Sequence, residues 1–130
     1  MMSEADKQAC ADRIRSYVAA FHRGDSEAYA DQWVFPGSVY SQGIWRQTPD
    51  RAACVAGNEA YYRSSLADGL ASGEIESLQV KGLGPDAGLV EGVFTRYRAD
   101  GSLMARIEAA YLVVRIDDGW KVAVCVVKRQ

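Results

Sequence analysis

Tyr17, His22, Asp31, Glu91, Glu108 and Cys125 are the residues whose side chains could do chemistry beyond packing. A tyrosine hydroxyl enclosed in a cavity donates a hydrogen bond, an imidazole near neutrality moves a proton, a carboxylate accepts one, and a thiol attacks carbon once a neighbouring base makes it a thiolate. Each residue also has a plainer reading. Tyr17 packs its ring while its hydroxyl finds a backbone partner. His22, near a helix C-terminus, is expected to be solvated and to favour the helix dipole. Asp31 sits in the last turn of a short helix, where it reaches a cavity mouth or faces water. Cys125 has no visible base beside it and is expected as a buried, inert thiol. Glu91 and Glu108, with Arg106 nearby and Glu108 facing Lys128, are expected as charged pairs at the rim of an interface. Trp33, Tyr40, Trp45, Tyr61 and Tyr62 either line a ligand cavity or fill a core.

These candidates lie in a chain of 130 residues, the length of one domain, with 48% hydrophobic and 25% charged residues, which excludes disorder. Fifteen Lys and Arg against 17 Asp and Glu leave a formal net charge of −2. With no cationic surplus to hold phosphates or anionic lipid, neither nucleic acid nor membrane is an expected partner. Cys10, Cys54 and Cys125 are far apart with no CxxC, and His22 is the single histidine, so no disulfide framework, metal site or cofactor is expected. The polar start, Met1 to Gln8, and the lack of an apolar run of roughly 20 residues point to a soluble, cytoplasmic protein.

The elements that must position the candidates follow from periodicity and punctuation. Cys10, Ile14, Tyr17, Val18 and Phe21 recur at helical spacing between Ser3 and His22, and Gly24 stops the helix. Asp25 caps a second helix, in which Ala28, Tyr29, Gln32 and Trp33 fall on adjoining turns until Pro36-Gly37 ends it. Val39-Tyr40-Ser41 and Ile44-Trp45-Arg46 flank Gln42-Gly43 as a hairpin. Thr48-Pro49-Asp50, a capping hydroxyl and a first-turn proline, opens a third helix with a stripe of Val55, Tyr62, Leu66 and Leu70, and with Cys54, Asn58 and Tyr61 beside it.

Ile75–Leu83, Leu89–Ala99, Leu103–Ile116 and Trp120–Lys128 then form an antiparallel meander. Helices followed by strands make an α+β domain, a curved sheet covered on one face by three N-terminal helices. A two-residue turn at Asp100-Gly101 pairs Arg98 with Leu103, Arg96 with Ala105, Phe94 with Ile107, Gly92 with Ala109 and Val90 with Tyr111. A three-residue turn at 117–119 sets Tyr111 opposite Cys125 and Val113 opposite Ala123, all on the helix-covered face. The other face carries Leu89, Val93, Leu112, Val114, Val122 and Val124, too apolar for water, so a homodimer packed sheet to sheet is expected.

Tyr17-Val18-Ala19-Ala20-Phe21-His22-Arg23-Gly24-Asp25 with Ala28-Tyr29-Ala30-Asp31, and Asp118-Gly119-Trp120-Lys121-Val122-Ala123 at the other end, resemble the opening and closing segments of the NTF2-like (SnoaL-like, ketosteroid isomerase-like) superfamily. The resemblance spans nearly the whole chain. It implies a cystatin-like cone with an apolar cavity and dimerisation through the outer sheet face. It also implies a choice of functions, since the family holds isomerases, cyclases and dehydratases alongside uncharacterised proteins. The Tyr-Val-Ala-Ala run ending in Gly-Asp is similar to that of ketosteroid isomerase, which makes Tyr17 the counterpart of its oxyanion-hole tyrosine. The stretch where that enzyme carries its aspartate base reads Val39-Tyr40-Ser41 here.

The expected function is therefore binding of a small apolar or aromatic ligand by Tyr17, Trp33, Tyr40, Tyr62, Phe94, Tyr111 and Cys125. The alternative is proton transfer on a cyclic apolar substrate, with Tyr17 as donor and Asp31 as carboxylate. A third is an interaction module acting through the sheet surface.

Overall fold

The structure is a computed structural model that describes residues 1–129. Helix α1 spans Glu4–His22 and α2 Ser26–Asp31; strands β1 (Trp33–Ser41) and β2 (Ile44–Thr48) precede helix α3 (Arg51–Ala67), and β3 (Ser72–Gly82), β4 (Ala87–Tyr97), β5 (Leu103–Ile116) and β6 (Gly119–Arg129) complete the chain. The strands form one six-stranded sheet in the order β2-β1-β6-β5-β4-β3. All neighbours are antiparallel except β1 and β6, whose parallel pairing joins the early hairpin to the end of the meander.

The helix boundaries follow their caps. The Ser3 hydroxyl accepts from the Asp6 amide and the Asp25 carboxylate from the Ala28 amide, so α1 and α2 start where the sequence places them. Between them Gly24 takes φ +69°, the left-handed turn that glycine adopts without a Cβ penalty. Two expectations are corrected. Helix α2 ends at Asp31, and Trp33 with Pro36-Gly37 lies inside β1. The Gln32 carbonyl accepts the Val122 amide at 2.8 Å, so pairing with β6 draws the chain out of the helix, and a register irregularity between Trp33 and Ser38 accommodates the proline that lacks a donor. At α3 the cap is Asp50, which accepts from the Ala53 amide, while Thr48 ends β2. Helix α3 also buries a different stripe, Cys54, Asn58 and Ser65; Leu66 is 46% exposed and Val55 and Tyr62 are half-buried. It leans on α2, where the Asn58 amide donates to the Ser26 hydroxyl at 2.9 Å, and one neighbouring helix covers only a narrow strip.

The register of β4 and β5 pairs Arg96 with Ala105, Phe94 with Ile107, Gly92 with Ala109 and Val90 with Tyr111, as expected. The turn is longer than two residues. The Gly101 amide reaches the Arg98 carbonyl and the Arg98 amide the Ser102 carbonyl, so Tyr97, not Arg98, faces Leu103. At the last hairpin the correction runs the other way, to a two-residue turn at Asp117-Asp118, both at positive φ. Tyr111 still faces Cys125, because an irregularity beside Leu112 and Val113 absorbs the missing residue. Beyond it the phase changes: Val113 faces Val122, not Ala123, and Val122, expected outside, is 0% exposed in the core. A second irregularity places Arg129 opposite Glu108, and Lys128 instead bonds Glu91 at 2.6 Å.

The inner face and α1 make the core, with Ile14, Cys10, Val90, Val113 and Val122 fully buried. The outer face presents Leu89, Val93, Leu112, Val114, Val124 and Val126, all half-buried, beside exposed Tyr40 and Trp45. No helix among the described residues is long and apolar enough to cross a membrane.

Candidate functional site: an aromatic chamber and its rim

The sheet and the first two helices bring five rings and a thiol together. Helix α1 lays Ile14, Tyr17 and Phe21 toward the sheet at spacings of three and four. Helix α2 brings Tyr29, β1 Trp33, β4 Phe94, β5 Tyr111 and β6 Cys125, and all eight belong to or border the core except Phe21, which is buried at its end. The ring of Tyr17 is the hub: its centroid lies 4.8 Å from Tyr29, 5.4 Å from Tyr111 and 6.1 Å from Trp33, the last two edge-on. Phe94 meets Tyr111 edge-on at 5.9 Å. Phe94 leans over Gly92, where a Cβ would stand 2.5 Å from its ring, and the Trp33 ring lies over Gly37 in the same way, at 2.8 Å. Glycine's missing side chain makes the floor on which each ring rests.

Two of the chamber's hydroxyls pair with each other. The Tyr17 and Tyr29 hydroxyls are 2.9 Å apart, and Tyr111 stands with its ring 5.4 Å from that of Tyr17 and its strand position opposite Cys125. Burial pushes the pKa of Tyr17 and of Tyr111 well above the ordinary tyrosine value, with Tyr29 and Cys125 adding to the rise in both and Tyr17 partly opposing it in Tyr111. Burial also raises Tyr29, against a smaller opposing effect of its bond with Tyr17. Cys125 is pushed up to about 12 by burial, only partly offset by Tyr111. All four are therefore neutral at pH 7: donors and acceptors, but neither bases nor nucleophiles. The buried Trp33 indole N–H has no hydrogen-bond partner among the described residues.

Beyond Phe94 the inner face ends in a charged rim. The Arg96 guanidinium lies 4.7 Å from the Phe21 ring centroid and 5.4 Å from that of Tyr61, and its Nη1 donates to the Tyr61 hydroxyl at 2.7 Å. Tyr62 stands edge-on to Phe21 at 5.5 Å. His22 is half-buried rather than solvated. The last turn of α1 docks on β3 so closely that a Cβ on Gly73 would overlap the imidazole, and burial followed by the Arg96 charge holds its pKa below the usual histidine value.

Tyr17, Trp33, Phe94, Tyr111 and Cys125 thus converge as a group. Tyr62 joins the rim instead. Tyr40 does not line the interior: it lies on the outer face, 41% exposed, with its ring 6.3 Å from Trp45, because Val39 takes the inward position opposite Cys125. Asp31 is exposed and held 2.8 Å from Arg51, which also binds Glu27. Glu91 pairs with Lys128, and Glu108 lies 3.8 Å from Arg106, which reaches Glu76 as well. Tyr29 is the chamber residue that sequence reasoning left out. Its signal was its place in the helix immediately following α1, four residues before Trp33. Among the described residues no three of His, Cys, Asp and Glu gather as metal ligands. A concavity of about 190 Å³ on the outer face is bordered by Glu91, Glu108 and Lys128, and one of about 520 Å³ lies beside Met1, Met2 and Val80.

Helices packed on a curved, mostly antiparallel six-stranded sheet make the α+β fold of cystatin-like, NTF2-like proteins. The chain belongs to this family: the profile described as NTF2-like protein (DUF6841) matches residues 8–130. Among solved structures it is similar to an NTF2-like protein with a cystatin-like fold from Novosphingobium aromaticivorans, with a TM-score of 0.78 and 22% identity over 95% of this chain and 80% of that one. An NTF2-like protein of unknown function from Shewanella oneidensis gives 0.75 and 20%, covering 92% and 96%. A ketosteroid isomerase-like protein from Erwinia carotovora gives 0.69 and 16%, covering 96% of each. At these identities the shared property is the fold. No protein of curated function matches the chain in sequence.

Proposed function

We propose that the protein binds a small apolar or aromatic ligand in the chamber and does so without proton-transfer chemistry. The observation that carries this reading is the closed set of neutral donors, Tyr17, Tyr29, Tyr111 and Cys125, beside the unpartnered Trp33 N–H. An isomerase or dehydratase reaction needs a group that takes or gives a proton near neutrality. Asp31 and Glu91, the carboxylates considered for that role, are both engaged in exposed ion pairs. The rings occupy the chamber themselves, so a ligand enters by exchanging ring–ring for ring–ligand contact. Specificity then comes from shape and from one or two hydroxyl donors.

Titration calorimetry with 2-naphthol, a flat apolar ring with one hydroxyl, tests this. Saturable one-site binding is expected, weakened about tenfold in Tyr17→Phe and in Tyr111→Phe, the loss of one hydrogen bond. Absence of saturable binding, or an affinity in both variants equal to that of the unaltered protein, overturns it.

The outer face supports a second proposal, pairing of two copies sheet to sheet. Its six half-buried aliphatic residues form a patch of the kind that marks an interface. A reducing, cytoplasmic setting is in keeping with three buried free cysteines.

A further inference from the structure

We infer that the chamber's ligand is an aryl or alicyclic carboxylate, its ring among Tyr17, Phe94 and Tyr111 and its carboxylate on the guanidinium of Arg96. This rests on the chamber reading above and adds the ligand's charge.

Three observations lead to it. Arg96 is two residues beyond Phe94 on the inner face, a strand distance of roughly 7 Å. A carboxylate carried by a ring seated at Phe94 therefore lies on the face of the sheet that bears Arg96. Its cross-strand neighbours on that face are Gly73 and Ala105, too small to hold it themselves, and the side chain leans instead onto Phe21 and Tyr61, which fix the plane of its fork.

The second observation is the charge balance. Arg51, Arg106 and Arg115 each hold carboxylates of this chain, whereas among the described residues no carboxylate pairs with Arg96; Arg13, Arg46, Arg63 and Arg98 share that property, and of these Arg96 is the one stacked on Phe21 and Tyr61. Among the described residues, one of its N–H donors is directed to a side-chain acceptor, the Tyr61 hydroxyl. A guanidinium offers five donors in a planar fork that matches a carboxylate in two parallel bonds.

Third, the chamber's own donors are neutral and enclosed, and a carboxylate taken among them would lose its hydration with no opposite charge to replace it. The ring and the charge of an amphipathic acid therefore have separate places: ring inside, carboxylate at the rim. A neutral ligand would leave the oriented cation unused.

His22 supplies an internal reporter. It is the one histidine, so its ring proton resonance is unambiguous. It faces Arg96 from α1, with Tyr62 donating to its carbonyl and the β3 backbone beneath it. A carboxylate on Arg96 offsets the charge that now disfavours its protonation.

The test compares naphthalene-2-carboxylate with naphthalene-2-carboxamide, equal in shape and different in charge, by calorimetry and by the pH titration of His22. The carboxylate should bind about 10- to 100-fold more tightly. Arg96→Gln should bring it to the level of the carboxamide, Arg96→Lys should retain part of the advantage, and only the carboxylate should move the His22 titration upward. If both probes bind equally, or if Arg96→Gln weakens both by the same factor, the acid inference fails and the chamber reading stands. If neither probe binds, the chamber reading falls and this inference with it. Should Arg96→Gln fail to fold, the comparison of probes and the His22 titration in the unaltered protein still decide the question.

Discussion

The two faces of the sheet are built from similar residues and meet different fates. On the inner face, Val90, Phe94, Tyr111 and Val113 are buried by helices of the same chain. On the outer face, Leu89, Val93, Leu112 and Val124 are half-buried only by their neighbours, and the charges that cross it, Lys128 with Glu91 and Arg106 with Glu76, are exposed. Apolar content therefore does not by itself mark the site. What sets the inner face apart is polar chemistry carried toward the core: the half-buried phenols of Tyr17 and Tyr29, the buried Tyr111 and Cys125, and the buried indole N–H of Trp33. The contrast is what supports the proposals of ligand recognition for the inner face and association for the outer one.

The largest way to break the contrast is alkali. Tyr17, Tyr29 and Tyr111 all have folded pKa values above the ordinary 10.0, Cys125 is raised from 9.0 to about 12, and Cys10 and Cys54 are raised from 9.0 to about 11. An acid whose folded pKa is raised contributes stability in full below its unfolded value and loses it as pH rises through the folded one. Stability should hold to about pH 9 and then fall steeply, the thiols first and the phenols from pH 10. Denaturant titrations at successive pH values measure this, and the alkaline arm should shrink in Tyr111→Phe. An unchanged arm in that variant would place the Tyr111 hydroxyl in water.

A pair of substitutions sharpens the comparison next. Gly92→Val puts methyl groups where the Phe94 ring rests and should cost about 1–3 kcal/mol, read as a lower denaturation midpoint and weaker 2-naphthol binding. Val126→Lys, on the outer face between Tyr40 and Ala110, should leave ligand binding unchanged. It should convert a dimer to a monomer in sedimentation and remove any dependence of the melting temperature on protein concentration. A protein that is monomeric before substitution defeats the outer-face proposal and leaves the chamber untouched.

The order of elements and most of the β4–β5 register are legible because they are written locally, in caps, turn residues and period-two alternation. Errors arose where distant pairing overrode a local signal. Trp33 has helical spacing from Tyr29, yet β6 claims it, and the pairing of β1 with β6 is announced by no residue near either strand. The bulge at Ala123 is similarly silent, since Val122, Ala123 and Val124 are interchangeable by type, and it moves Val122 from the outer face to the core. Of the site, Phe94, Tyr111 and Cys125 came from that alternation, and Tyr17 from helical spacing and the resemblance of its helix to that of ketosteroid isomerase. The ring seats at Gly37 and Gly92 did not, because a glycine reads as a strand weakness until the ring lying over it is seen.

The smallest expected effect concerns His22, where the rim joins the chamber to solvent. Its folded pKa lies below the ordinary 6.5, first through burial and second through Arg96. A base with a depressed folded pKa is neutral in both states above about pH 6.5 and costs nothing there. As pH falls below that value the unfolded chain takes up the proton first, so stability declines until the folded pKa is passed. Between about pH 7 and 5, ahead of the carboxylates, the protein should therefore show a shallow acid arm in denaturant titrations, absent in His22→Gln. In Arg96→Gln the arm should be reduced but not abolished, because burial against Gly73 remains. An arm that vanishes entirely on removing Arg96 would show that charge outweighs burial at the rim, the reverse of the ranking that holds in the chamber.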